Sequence, residues 1–280
     1  MMSKKIKYIN FFSIIILILI VSCSKNDKLI KKSEKILPLN ILYKKAFDLY
    51  QNAQYFESID MFKKVETNYS FSEWAPKATL MIMYINFEGS QYIESLEYAQ
   101  KFKKLYPKNK NIDYVDFISA LIFYEQIDVV SRDQTYAIEA KKRFINIINN
   151  YPKSIYAEES KYKIDLINEQ LAGKEMYIAR FYMKKSKWIP AINRLKKILN
   201  NYETTVYSTE ALHRLVEVYY KLGNLQESKK YAAILGYNFN DSLWYKKSYK
   251  IVADKNYKIE VKKQKRKLRD RIKKLFKFSK

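Results

Sequence analysis

One thiol and one imidazole, Cys23 and His213, are the only side chains of their types in the 280 residues, and they bound the chemistry open to the chain. A lone cysteine closes no intrachain disulfide, and the pair offers no Cys/His cluster for zinc. The sequence holds no paired acids in a loop, no Ser/His/Asp arrangement and no glycine-rich phosphate loop, so neither catalysis nor a cofactor is expected. His213 stands beside Arg214 in a stretch of helical periodicity, where a half-exposed surface position is expected. A lone cysteine is ordinarily a small buried hydrophobe. Cys23 instead follows a basic start (Lys4, Lys5, Lys7) and an apolar run over residues 11–21 that only Ser13 interrupts. That run is shorter than the about 20 residues of a membrane span, and it has the length and flanks of an export signal.

Ile20-Val21-Ser22-Cys23 resembles the lipobox of bacterial lipoprotein signals: aliphatic, small or aliphatic, small, cysteine. The resemblance implies a diacylglycerol on the Cys23 thiol and cleavage just before it, with a signal peptide at residues 1–22. The mature chain then keeps 280 − 22 = 258 residues. A single acyl chain anchors only marginally, at about 0.8 kcal/mol per buried CH₂. The diacylglycerol and the usual third chain of a modified cysteine overcome that limit. Ser24, rather than Asp, in the next position is compatible with sorting to the outer membrane. Residues 23–39 are polar and lysine-rich and read as a flexible tether.

Behind this anchor the composition favours helices. The chain is 48% hydrophobic and 16% aromatic, with only four glycines and five prolines, which argues against a loop-rich or all-β protein. Five times a helical pattern ends in an aromatic and a turn, at Tyr69, Tyr106, Tyr151, Tyr202 and Phe239, with steps of 37, 45, 51 and 37 residues. Before each lies a small-then-bulky triplet at i, i+4, i+7: Ser58/Phe62/Val65, Ser95/Ala99/Phe102, Ala140/Phe144/Ile147, Ala191/Leu195/Ile198 and Ser228/Ala232/Leu235. That spacing puts each triplet on one helix face, with the small residue where a neighbouring helix crosses closely. The expected architecture is all-α, a tetratricopeptide-type α-solenoid of about five helix hairpins over residues 40–250. Helix pairs are expected at 40–52 with 55–68, 72–87 with 91–105, 112–130 with 132–149, 155–184 with 187–201, and 208–221 with 225–237. Gly89 and Gly223 stand at breaks where a left-handed residue is needed.

Two features invite binding roles. Tyr43, Tyr50, Tyr55 and Tyr84 either line a groove for a client polypeptide or pack one hairpin on the next, and spacing alone fits both. The segment 251–280 reads as a basic amphipathic tail. Its last 26 residues hold 13 Lys and Arg against Glu260 and Asp270, which gives 13 − 2 = +11 of the chain's +24. Leu268, Ile272, Leu275 and Phe276 form one apolar stripe in that tail, as in a membrane-surface or partner-binding helix. Nucleic acid is not an expected partner of an exported chain. An AT-rich genome also favours Lys, Ile, Asn and Tyr, which accounts for part of the charge.

One run is more specific. Arg132-Asp133, Ala140, Phe144, Tyr151-Pro152, Ser154, Tyr156-Ala157, Leu171-Ala172, Glu175, Ala179, Tyr182, Trp188, Ala191, Asn193-Arg194, Tyr202 and Thr205 follow one another in this order. The run, with its long fourth-repeat helix, resembles the BamD family of lipoproteins in the outer-membrane β-barrel assembly machinery, over about residues 40–242. The resemblance implies a scaffold at the outer membrane, lipid-anchored and facing the periplasm. Its N-terminal repeats (40–106) would receive the C-terminal signal of unfolded outer-membrane proteins. Its C-terminal repeats (155–237) would dock on a BamA-type barrel protein among the other assembly subunits. The family's basic docking residue falls nearest Tyr220 and Lys221, and Arg194 and Arg214 complete the partner-facing set. The tail would add contact with an anionic surface. The competing reading is a general periplasmic tetratricopeptide adaptor, for envelope synthesis or division, with no BamA contact.

Overall fold

The triplets become the seams of the structure. A computed structural model describes residues 36–253, where the chain forms eleven helices and no strand among the described residues. They are α1 (Leu39–Gln51), α2 (Tyr55–Asn68), α3 (Trp74–Glu88), α4 (Tyr92–Leu105), α5 (Ile112–Glu125), α6 (Thr135–Asn150), α7 (Ile155–Lys184), α8 (Trp188–Asn201), α9 (Tyr207–Lys221), α10 (Leu225–Asn238) and α11 (Leu243–Ala253). Each packs on its sequence neighbours, and α11 closes over α9 and α10. The signal peptide expected at 1–22, Cys23 and the tail from 254 onward lie outside the described residues.

Every side chain of the five triplets is buried. Phe62, Phe102 and Phe144 are fully enclosed, and each contributes about 1.5–3 kcal/mol by leaving water. The small members do more than make room. Ser58 Oγ donates to the Ala46 carbonyl at 2.7 Å, Ser95 Oγ to Met83 at 2.9 Å and Ser228 Oγ to Val216 at 3.0 Å. Each hydroxyl is thereby satisfied where the two helices of its hairpin touch, so its burial carries no orphan penalty.

The five aromatic markers share one turn. Each is the C-cap of its helix, with its N–H bonded to the carbonyl four residues back. Its own carbonyl then accepts the N–H three residues on, as in Ser154 to Tyr151 at 2.9 Å and Thr205 to Tyr202 at 3.1 Å. Tyr151 and Ser154 also reach back to α5, donating to Asp116 at 2.9 Å and Asp113 at 2.7 Å, and so tie the third hairpin to the fourth.

Within the hairpins the left-handed residues are Ala53, Ser90, Ser186 and Gly223. Gly223 was expected there. Gly89 was too, but its φ is −75° and its neighbour Ser90 makes the turn at φ 58°. The third hairpin departs most. The expected helix over 112–130 stops at Glu125. Asp128 folds back on the Val129 N–H at 2.7 Å and pairs with Arg132 at 2.6 Å. From α7, Gln170 donates to the Asp128 carbonyl at 2.5 Å, and Lys174 to those of Ser131 and Arg132 at 2.8 Å.

The two ends also differ from expectation. Residues 36–38, assigned to the tether, lie on the fold because the Tyr69 hydroxyl donates to the Leu37 carbonyl at 2.7 Å. At the far end α11 lies beyond the five expected hairpins, and Trp244, Tyr245, Ile251 and Val252 pack on the core of the last two. A solenoid needs such a lid over its final apolar face. Gly236 lets it approach: a Cβ there would sit 2.7 Å from the Tyr245 ring.

Candidate functional site

The first helices of successive hairpins share one face. On α1, Tyr43, Phe47 and Tyr50 stand at i, i+4, i+7, and 77 − 43 = 34 residues later Lys77, Met81 and Tyr84 repeat that spacing on α3. Tyr114 from α5 and Ile155 and Tyr156 from α7 extend the surface, which encloses an open groove of about 710 Å³. The tyrosines serve packing and groove together. Tyr43 meets Phe62 and Trp74 edge-on at 5.2 and 4.6 Å, Tyr50 meets Tyr84 at 6.3 Å, and Tyr114 meets Tyr156 at 5.6 Å. Tyr55 does not line the groove; its ring lies 6.1 Å from Tyr50 at the side.

The groove's phenols are neutral, with the Asp113 carboxylate among its lining and Lys77 and Lys110 as its cations. The Tyr84 hydroxyl donates to Glu88 at 2.7 Å, and that bond, with burial, holds its pKa well above the usual phenol range. Burial raises Tyr43, Tyr50, Tyr114 and Tyr156 as well. These phenols therefore stay protonated at physiological pH. Asp113 is engaged by the Ser154 hydroxyl at 2.7 Å and the Tyr114 N–H at 2.8 Å. Lys77 stands 4.6 Å over the Trp74 ring, and Lys110 is exposed. Aromatic floors with hydroxyl tips take apolar side chains and hydrogen-bond the backbone between them. Phe47, Tyr114 and Tyr156 were not assigned to the groove from the sequence, although the 34-residue offset from α1 to α3 carries the signal for Phe47.

The C-terminal half is organised by buried acids. Glu175 of α7 accepts Arg194 at 3.0 Å and Lys197 at 2.6 Å, both from α8. Glu210 of α9 binds Arg180 of α7 and Arg214 on its own helix, the latter at 3.1 Å. Arg214 also reaches Glu217 at 2.8 Å. Burial alone would raise both carboxyls, yet Arg180 and Arg214 lower Glu210, and His213 and Arg214 hold Glu217 at about 2. His213 is a correction to the half-exposed residue expected from sequence. It is 3% exposed, with Nδ1 2.8 Å from Ser248 Oγ and its ring 5.0 Å from Trp244, because α11 covers it.

The YfiO family, described as "Outer membrane lipoprotein", matches residues 37–235. The outer membrane protein assembly factor BamD of Rickettsia prowazekii is 39% identical over 234 residues, 84% of this chain and 91% of that protein. The BamD of Caulobacter vibrioides is 37% identical over 217 residues, 78% of this chain and 71% of its own.

The chain belongs to the BamD family of outer-membrane protein assembly factors.

Among the partner-facing residues that the BamD resemblance implied, the structure separates two kinds. Arg194 and Arg214 are engaged inside the chain, each holding a buried glutamate across or along α7–α9. Lys221 is exposed in the last turn of α9, with its ammonium 5.1 Å over the Trp188 ring at the head of α8. Tyr220 beside it is half-buried. Ile189 (63% exposed) and Leu222 (43%) flank this pair, so an apolar-cationic patch joins the tips of the last two hairpins. The structure does not bring these residues to the Tyr43–Tyr84 groove, which belongs to the opposite half of the stack.

Proposed function

We propose that this BamD-family chain is a non-catalytic, lipid-anchored scaffold of the β-barrel assembly machinery, held to the outer membrane through Cys23 and facing the periplasm. Its N-terminal groove receives the extended C-terminal segment of unfolded barrel proteins. The observation that carries this reading is the tyrosine-floored groove of about 710 Å³ with Lys77 and Lys110 beside it. It offers rings for apolar side chains, neutral hydroxyls for the backbone and cations for a terminal carboxylate. The second working surface is the patch of Trp188, Ile189, Lys221 and Leu222, which suits an acidic, partly apolar face on a BamA-type partner. Among the described residues no helix is long and apolar enough to cross a membrane, so attachment through Cys23 carries weight in this reading.

The test isolates the chain from detergent-solubilised membranes and identifies what accompanies it. Recovery of a BamA-type barrel with the wild type, and its loss with Lys221→Glu, is the expected result. A complex that contains no such barrel under conditions preserving native assemblies refutes the scaffold reading in favour of a general adaptor. Cys23→Ala should accumulate as a larger unprocessed precursor. Normal processing of that variant removes the anchor from the reading.

A further inference from the structure

The N-terminal edge of the stack carries apolar side chains that no other described part of the chain covers. Phe71, at the turn between α2 and α3, is fully exposed, and Ile36 (61%) and Ile41 (51%) stand out nearby. These positions share one end of the first hairpin. α1 begins where α2 ends, and the Tyr69 hydroxyl fixes the Leu37 carbonyl two residues before Phe71. Ile36, Leu37, Lys45 and Lys64 border the same small cleft between α1 and α2. Soluble surfaces scatter single apolar residues freely, but a group of this kind rimmed by lysines marks a contact.

The chain outside the structure indicates what that contact is. Twelve residues, 24–35, separate Cys23 from Ile36, and five lysines against Asp27 and Glu34 make them 5 − 2 = +3. Thirteen Cα steps at about 3.3–3.6 Å reach at most about 45 Å. With the lipid of Cys23 in the bilayer, this edge is confined to a thin zone beneath it, at an effective concentration on the order of millimolar. A contact too weak to bind from solution is then populated. Aromatic and aliphatic side chains with neighbouring lysines match the interfacial layer of a phospholipid leaflet, where apolar parts enter and ammoniums meet phosphates.

We propose that Phe71, Ile36 and Ile41, with the exposed Lys45, form a membrane-docking edge that seats the first hairpin against the phospholipid surface. The inference rests on the Cys23 anchor. Docking fixes which way the stack points from the membrane, a geometry that the lipid alone leaves open.

In the lipidated protein the Cys23 thiol is consumed, so Phe71→Cys supplies one site for a nitroxide spin label, and Tyr237→Cys, 90% exposed at the end of α10, is its control. Both are reconstituted in vesicles of phosphatidylethanolamine and phosphatidylglycerol. Relaxation by membrane-soluble oxygen is compared with that by a water-soluble nickel chelate. Docking predicts an oxygen-to-nickel ratio at position 71 several-fold above that at 237, and its return to the control value when Ile41→Asp is added. A labelled protein that floats with the vesicles yet shows equal ratios at both positions overturns the docking edge alone. Failure to float overturns the anchor and the edge together. In native outer-membrane vesicles, a label at 71 shielded from both reagents identifies a protein occupant and also overturns the proposal.

Discussion

Removing the Glu217 carboxylate by Glu217→Gln should destabilise the C-terminal hairpins in a pH-dependent way. The folded carboxyl sits at about 2 instead of the ordinary 4.5. Burial works against its ionised form, and the hydrogen bonds of His213 and Arg214 overcome that cost. At 1.36 kcal/mol per pH unit that depression sets a ceiling of about 3 kcal/mol. The side chain is 26% exposed, and screening by solvent lowers the working figure to about 2 kcal/mol. Because the folded pKa is depressed, this stability is fully present above the unfolded value of 4.5 and is lost as pH falls through 2. Lowering the pH from 7 to 3 therefore removes more than half of it, about 1 kcal/mol. The neutral amide cannot titrate, so the gap between wild type and Glu217→Gln should narrow by that amount. Urea unfolding followed by far-UV circular dichroism at the two pH values reads the gap directly. A gap of equal size at both refutes the claim that the carboxylate is held by charge rather than by shape.

Gly236→Ala should cost about 1–3 kcal/mol, because the new methyl meets the Tyr245 ring at 2.7 Å and pushes α11 off the last hairpin; unchanged thermal melting would show that the ring yields freely. Ser186→Gly should stabilise by about 0.5–1 kcal/mol and Gly223→Ala should destabilise by a similar amount, since both residues hold positive φ, at 54° and 77°. Denaturant midpoints moving in the same direction for both would contradict that reasoning. Phe47→Glu removes a groove-lining ring that is 37% exposed and packs on Tyr50, and should cost about 1–2 kcal/mol in melting. It should weaken photo-crosslinking of a barrel-protein C-terminal peptide at least several-fold, and equal crosslinking would move the client site elsewhere.

The seams of the stack were legible because they obey one local rule. Ser58, Phe62 and Val65 and their four counterparts share a helix face by spacing alone, and all of them are buried. The aromatic C-caps were legible for the same reason. Features set by distant partners were not. Nothing beside His213 announces Ser248 or Trp244, which arrive from 35 and 31 residues away on α11. Arg194 looks like a surface cation until Glu175 is placed against it from α7, whereas Glu210 and Glu217 stand only four and three residues from Arg214 on α9. The groove lay between these cases. Tyr43, Tyr50 and Tyr84 stood out as tyrosines, whereas Tyr114 and Tyr156 join them only once the hairpins are stacked.

The α7 helix runs unbroken for 30 residues, about 45 Å at 1.5 Å per residue. Its first turn brings Ile155 and Tyr156 to the groove, and near its other end Arg180 grips Glu210. It therefore has the length to span both halves. A tilt of roughly 10° about the groove end sweeps the far end through about 8 Å, more than one helical turn. The two halves of the molecule are in this way joined by one unbroken element.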